Sequence, residues 1–230
     1  MPGATVWSLT PGAGDGQTRV LPDGCMDVVR IGGRLLVAGP DTRAHITTID
    51  GPGGPVIGIR FHPGVGPSVL GLPADRVRDE RIGLDDVWPA ALVRGLSQRV
   101  ADDARPAATL ERALLDMIAR RRGSRPPHPL APAAVRAVVA VLAFTGRVDD
   151  AADAAGIGPR QLHRAALAAF GYGPKTLARV LRMQRALALA RNGTALADVA
   201  AECGYSDQPH LSREVTALAG ASIRQVLRQR

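Results

Sequence analysis

Two arginines, Arg164 and Arg213, occupy equivalent positions in an internal repeat of this 230-residue chain. Sliding residues 148–174 onto residues 197–223, an offset of 49, places the two arginines together and also superimposes Leu162 on Leu211. Successive residues of a helix are about 100° apart, so each arginine is predicted to point away from a buried leucine two positions earlier. A guanidinium group exposed in this way can form two hydrogen bonds with a guanine edge or pair with a phosphate. The repeat therefore predicts two surfaces that contact nucleic acid.

Other residue types that could support chemistry are scattered. Cys25, His45 and His62 are candidate metal ligands or redox groups, but no two of them have close ligand spacing. Cys25 and Cys203 form no CxxC pattern, which argues against a disulfide framework or a structural zinc site. Cys25 with a histidine and an aspartate could form a catalytic triad, yet GxSxG, GxxxxGK[ST] and HExxH motifs are all missing from the sequence. We therefore predict no enzyme activity, no metal and no cofactor.

The repeated segments predict two helix-turn-helix units. Each copy has a short Ala-rich helix, a turn with Gly156 or Gly204, and a second helix that begins with small or polar residues. Between them, Pro174 opens a helix that Asn192 and Gly193 end. At roughly 18 residues this helix spans about 27 Å, comparable to the ~34 Å helical repeat of DNA. The predicted helices of the C-terminal half are Ala133–Phe144, Val148–Ala155, Pro159–Phe170, the helix from Pro174, Leu196–Cys203, Gln208–Leu218 and Ile223–Arg228.

A basic, Pro-rich segment divides the chain. We predict a regulatory domain over residues 1–120, a linker over 121–130 and an all-α domain with both helix-turn-helix units over 131–230. Short apolar runs between residues 19 and 61, broken by Gly, Pro and Asp, indicate the strands of a small antiparallel sheet or barrel. These runs are Val28–Ile31, Leu35–Ala38, His45–Ile49 and Val56–Phe61. Helical patterns follow at Trp88–Val100 and Thr109–Arg121. The expected fold is an α+β N-terminal domain followed by an all-α domain.

Charge is distributed unevenly between these halves. Residues 1–119 carry 12 Arg and 14 acidic residues, a balance of −2, whereas residues 120–230 carry 17 basic and 7 acidic residues, a balance of +10. This asymmetry is typical of a regulatory domain joined to a polyanion-binding domain, although an Arg- and Ala-rich composition would also give solvated arginine faces. No stretch approaches the roughly 20 apolar residues of a membrane span, so we expect a cytoplasmic protein without membrane contacts.

The last hundred residues resemble the AraC/XylS family of transcription regulators. The segments that carry the resemblance are Asp153–Arg164, Phe170–Pro174, Leu181–Ala186, Asp198–Asp207, Leu211–Arg213 and Gly220. The resemblance implies a DNA-binding domain with two recognition helices on either side of a linker helix. It also implies an adjoining domain that senses a ligand or dimerises.

By position, the family resemblance assigns four DNA-contacting residues to each recognition helix. They are Gly158, Arg160, His163 and Arg164 in the first, and Gln208, Pro209, Ser212 and Arg213 in the second. Arg pairs with guanine and Gln with adenine, whereas Ser and His more often contact phosphate or a single base edge. Pro209 departs from the family, which usually has a polar residue there, and can only pack on a thymine methyl group. Arg164 lies in the unit closer to the family pattern.

The N-terminal half resembles, at Leu21–Val29, Gly39–Pro40 and Gly58–Gly64, a poorly characterised domain that precedes this DNA-binding domain in many regulators. The expected partners are double-stranded DNA, RNA polymerase, a small-molecule effector at the N-terminal domain and a second copy of the chain. The alternative is a basic architectural or RNA-binding protein without sequence specificity, which would need neither two spaced units nor a separate neutral domain.

Overall fold

A computed structural model describes residues 3–9, 17–48, 55–120 and 127–228. Its described part is an N-terminal α+β region followed by an all-α region, which confirms the predicted fold class. Most of the predicted linker, residues 121–126, lies outside the described residues. Within the described ranges, no helix is long and apolar enough to cross a membrane.

The strands of the N-terminal region form two antiparallel sheets within the described residues. The strands are β1 (Ala4–Leu9), β2 (Gln17–Val20), β3 (Met26–Ile31), β4 (Arg34–Ala38), β5 (His45–Thr48), β6 (Val56–Phe61) and β7 (Arg81–Gly83). The larger sheet has the order β1-β6-β3-β4-β7, and the smaller one pairs β2 with β5. The sequence predicted β3 to β6 but missed β1, β2 and β7.

The two faces of the larger sheet differ in what they contact. Because side chains alternate along a strand, Val28, Val37 and Ile59 all lie on one face, where they are fully buried. Helices cover this face: α1 (Gly66–Leu70), α2 (Ala90–Asp102) and α3 (Pro106–Arg120). The hydrophobic core of the domain lies between them. The opposite face, with Asp27 and Val29, lines a cavity whose other wall includes β2 and β5.

A close contact between β1 and β6 positions Trp7, whose side chain lines this cavity. The Trp7 indole lies directly against Gly58, where an added Cβ would come within 2.1 Å of the ring. Gly58 is therefore required by space, and no larger residue fits without displacing Trp7. The indole nitrogen then donates a hydrogen bond of 2.8 Å to Asp27 Oδ1, which gives the buried carboxylate a partner.

Seven helices make up the described part of the C-terminal region. They are α4 (Pro132–Phe144), α5 (Val148–Ala155), α6 (Pro159–Phe170), α7 (Pro174–Arg191), α8 (Leu196–Glu202), α9 (Gln208–Ala219) and α10 (Ile223–Arg228). Their buried faces form one continuous core in which α7 is central, since Leu177, Val180, Met183 and Leu187 are all fully buried. Short side chains dominate this core, so the helices can pack closely.

His128 lies buried where the two regions meet, with its Nε2 atom 3.4 Å from Ser68 Oγ. Desolvation lowers the pKa of His128 from the ordinary value of 6.5, and backbone hydrogen bonds with Gly64 and Leu130 oppose this only in part. The unfolded chain therefore binds a proton on acidification before the folded chain does. It follows that this histidine should destabilise the fold as the pH falls below its ordinary pKa.

We expect the free energy of unfolding to fall between pH 7.5 and 5.5 by at most about 1.4 kcal/mol per pH unit through this one group. Urea denaturation of the wild-type protein and of His128→Gln at several pH values measures the effect. The contributions of all other ionisable groups cancel in the difference between the two proteins. Parallel pH profiles for the two proteins would contradict it.

Candidate nucleic-acid interface

The two repeated units fold with the same local geometry. In each, the helix before the turn is followed by a glycine in the left-handed region, Gly156 at φ 67° and Gly204 at φ 70°. Equivalent backbone hydrogen bonds close the two turns: Ile157 N donates to Ala152 O at 3.1 Å, and Tyr205 N donates to Ala200 O at 2.9 Å. No heavy atom lies within 4 Å of a Cβ built at either glycine, so conformation rather than space requires them.

The first turns of α6 and α9 are capped differently. Gly158 is the N-cap of α6, and its backbone N–H donates to Gln161 Oε1 at 3.2 Å. Asp207 is the N-cap of α9, and its carboxylate accepts from His210 N at 2.6 Å. Pro209 fits in the first turn of α9 because the N–H groups there have no partner within the helix. The unusual proline thus leaves the helix start intact.

Replacing the Asp207 cap tests how much it fixes the start of α9. We expect Asp207→Ala to lower the free energy of unfolding by about 1 kcal/mol, because it leaves the His210 N–H unpaired and removes a negative charge from the helix N-terminus. Urea denaturation measures this loss. Asp207→Ser, which restores an oxygen acceptor, should recover most of it, and equal losses for the two variants would exclude a capping role.

The predicted contact residues lie on the solvent side of both helices. The exposed ones are Gly158, Arg160, His163, Arg164, Gln208, Pro209 and Arg213, and Ser212 is half-buried. Leu162 and Leu211 are fully buried, as their places in the repeat predict. Among the described residues, no carboxylate forms an ion pair with Arg160, Arg164 or Arg213. Three guanidinium groups are therefore available to phosphates or bases.

His163 differs from its neighbours because its ring lies against the turn after α6. A Cβ at Gly173 would come within 2.8 Å of His163 Cε1, so the imidazole covers that glycine. The ring is exposed, but its position is partly fixed by the start of α7.

An ion-pair network joins α7 to the second unit. Arg179 on α7 makes two hydrogen bonds of 3.1 Å to Glu214 on α9, and Arg182 lies 3.9 Å from the same carboxylate. The Arg182 guanidinium also lies over the Tyr205 ring, 4.5 Å from its centre. These contacts fix the orientation of α9 relative to α7. Sequence reasoning missed Glu214, because the equivalent residue of the first copy is Ala165.

The N-terminal region contacts the far ends of both helices. Arg78 donates to Gly171 O at the end of α6 at 3.3 Å, and Arg19 donates to Ala219 O at the end of α9 at 2.8 Å. Ala44 N also donates to Leu218 O at 2.7 Å. Cations are favourable at helix C-termini, where carbonyl groups lack partners. The N-terminal region thus holds α6 and α9 by their C-terminal ends and leaves their N-terminal halves exposed.

Among the described residues, Cys25, His45 and His62 do not form one metal or redox site. Cys25 and His45 both line the cavity between the two sheets, and Cys25 lies beside Asp23 and Arg60. The His62 ring instead places its Nε2 atom 3.4 Å from Thr5 Oγ1. Burial raises the pKa of the Cys25 thiol well above its usual range, and Asp23 adds to this effect, so the reactive thiolate is disfavoured. No group of three or more potential metal ligands is found among the described residues.

Comparisons with known proteins match the two regions separately. Residues 151–229 match a family described as a helix-turn-helix domain, and residues 4–83 match a domain of unknown function (DUF6597). No curated protein matches the chain.

Several solved structures are similar to parts or all of the chain. A probable AraC family transcriptional regulator from Rhodopseudomonas palustris CGA009 is 25% identical, with 41% of this chain and 94% of that chain covered and a TM-score of 0.35. A regulator with an AraC-type DNA-binding domain from Chromobacterium violaceum is 26% identical, with 40% and 84% covered and a TM-score of 0.37. ToxT from Vibrio cholerae O395 is 8% identical, with 97% and 96% covered and a TM-score of 0.48.

Proposed function

We propose that the chain recognises specific DNA sequences in two successive major grooves. Its residues 151–229 match a helix-turn-helix domain family, as expected of a DNA-binding transcription regulator of the AraC type. The observation that carries this proposal is the paired geometry of α6 and α9. Both helices begin after an equivalent glycine turn, bury an equivalent leucine and expose an equivalent arginine without a carboxylate partner among the described residues.

The linker helix supports the proposed spacing of the two units. With 18 residues, α7 is about 27 Å long, so it separates the units by a distance comparable to one ~34 Å turn of DNA. Its core residues pack in the same hydrophobic cluster as both units, and Arg179 fixes α9 through Glu214. The two recognition helices are therefore held as one rigid surface rather than as two independent heads.

Each predicted contact residue receives a proposed role from its chemistry. Arg160, Arg164 and Arg213 pair with guanine or phosphate, and Gln208 pairs with adenine. His163 and Ser212 contact phosphate or a single base edge, Pro209 packs on a thymine methyl group, and Gly158 lets the backbone approach the DNA closely because it has no side chain. The balance of +10 over residues 120–230 adds affinity that does not depend on sequence.

Control through the N-terminal domain is the second part of the proposal. Arg19, Ala44 and Arg78 all come from that domain and contact the ends of α6 and α9. A change in the N-terminal domain would therefore alter the relative position of the two recognition helices, on which simultaneous insertion into two grooves depends. RNA polymerase and a second copy of the chain remain predicted partners. The domain limits at residues 120 and 131 also remain predictions.

Selection from a random DNA library with the full-length protein tests sequence recognition. The salt concentration is kept at about the physiological value, because the contribution of phosphate contacts to affinity varies steeply with ionic strength. We expect an enriched site with two half-sites whose centres lie about one helical turn apart, near 10.5 base pairs. Footprinting of the enriched site against a scrambled duplex of the same composition is the matched control. Uniform, salt-sensitive coating of both duplexes would instead support the architectural alternative.

A further inference from the structure

A cavity of about 510 Å³ lies between the two sheets of the N-terminal domain. Its volume is in the range of small-molecule sites. Apolar side chains from both sheets form much of its lining, among them Val20, Val29, Leu36 and Val56. Gln184 of the linker helix α7 also lines it, and the Gln184 amide donates to Pro22 O at 2.6 Å. A molecule in this cavity would thus contact both regions of the chain.

Three carboxylates on the cavity wall already have cationic partners, and the first, Asp23, lies 3.1 Å from Arg60 Nη1. Asp27 accepts from Arg60 Nε at 3.2 Å and from the Trp7 indole. Asp41 forms a two-point contact with Arg81, at 2.7 Å and 2.5 Å. None of these three acids is therefore available to a positively charged guest without breaking an internal ion pair, which would leave a partly buried charge without its partner.

Three arginines line this cavity: Arg19, Arg60 and Arg81. Among the described residues, Arg19 is the one of the three that forms no ion pair with a carboxylate. The Arg19 Nη1 atom donates to Ala219 O, whereas the Nε atom of the same side chain is buried and has no hydrogen-bond partner. A buried donor without an acceptor is unfavourable, and a charged one more so. The cavity wall therefore lacks one oxygen acceptor, and a negatively charged one would best complement Arg19.

We propose that the cavity binds a small organic molecule with an apolar body and one anionic oxygen group, which accepts a hydrogen bond from Arg19. The inference rests on the proposed control through the N-terminal domain, and it names the ligand class for that control. The same guanidinium that contacts the ligand also holds the end of α9. Occupancy of the cavity is thereby communicated to the second recognition helix through one side chain.

Two fluorescent probes that share an apolar body but differ in charge test the ligand class. 1-Anilinonaphthalene-8-sulfonate carries an anionic oxygen group, and N-phenyl-1-naphthylamine does not. In titrations of the full-length protein without DNA, we expect saturable binding of the sulfonate with an affinity at least about tenfold higher than that of the neutral dye. Equal affinities, or tighter binding of the neutral dye, would overturn the proposal without use of any variant.

Variants locate the bound probe. Arg19→Met should weaken sulfonate binding about tenfold or more and leave the neutral dye unaffected. Arg94→Met, which removes an exposed arginine from α2, is the matched control and should change neither affinity. Leu36→Trp, which fills the cavity from its wall, should abolish binding of both dyes. Sulfonate binding that survives both Leu36→Trp and Arg19→Met would place the dye elsewhere and refute the site.

The dye titrations and the DNA selection fail independently. An enriched bipartite DNA site together with absent dye binding would remove the proposed ligand class and keep the DNA-binding function. Saturable, Arg19-dependent dye binding without any enriched DNA site would keep the ligand site and remove the proposed sequence recognition.

Discussion

Leu181→Pro should abolish specific binding to a two-part DNA site. Leu181 lies in the middle of α7, where proline removes one backbone hydrogen bond and clashes with the preceding turn, at a cost of about 3 kcal/mol or more. A kink at this point would change the distance and angle between the recognition helices. Since 1.4 kcal/mol corresponds to a tenfold change in an equilibrium constant, we expect at least a ~100-fold loss of affinity for the full site. Footprinting and titration of the full-length protein measure it.

Leu181→Ala is the matched control for helix breakage. It removes the same half-buried side chain but keeps a residue with high helix propensity, so affinity should fall less than about tenfold. Circular dichroism and urea denaturation of both variants separate a local kink from loss of the whole domain. A footprint that still covers both half-sites in Leu181→Pro would show that α7 is not the spacer.

The helices of the C-terminal region were predicted closely because their ends are determined by local residues. Pro159 and Pro174 mark two helix starts, and Gly171 marks an end in the left-handed region. Such signals act within one turn of a helix and are therefore visible in the sequence. The predicted bounds of α5 and α6 coincide with the observed ones.

The N-terminal strands were predicted less completely because their partners are distant in sequence. β1 pairs with β6, so Ala4 lies opposite Phe61, and no local pattern encodes that register. β7 has only three residues, too few for the alternation of apolar and polar side chains to be recognised. The helices α2 and α3 were predicted with shifted ends, and Trp88 precedes α2, where its indole donates to Leu70 O at 3.2 Å.

The contacts between the two regions were not predictable from the sequence. Arg19 and Ala219 are 200 positions apart, and Gln184 and Pro22 are 162 apart. Nothing in composition or periodicity distinguishes Arg19 from a solvated arginine. The exposed faces of α6 and α9 were predictable because a helical period relates each residue to a core leucine nearby. The contacts that we propose to carry control of DNA binding are visible only in the tertiary structure.

Arg164→Ala and Arg213→Ala should distinguish recognition of a base from contact with a phosphate. Each arginine is exposed, lies two positions after a fully buried leucine and has no carboxylate partner among the described residues. If the side chain pairs with a guanine, its loss should cost roughly 1 to 3 kcal/mol and relax preference at one base position. If it contacts only phosphate, affinity should fall alike for all sequences, and the salt slope should decrease by about 1.

We expect base recognition by both arginines, with the larger effect for Arg164, since its helix carries Arg160 at the position equivalent to Pro209. Systematic base substitution in a selected site, measured with each variant at two salt concentrations, gives both the preference and the slope. Arg228→Ala is the matched control: this arginine lies on α10, where its Nε donates to Arg224 O at 3.2 Å, and its loss should leave base preference unchanged. Unchanged base preference in both Arg164→Ala and Arg213→Ala would refute the assignment, because a guanidinium that contacts guanine cannot be removed without relaxing that position.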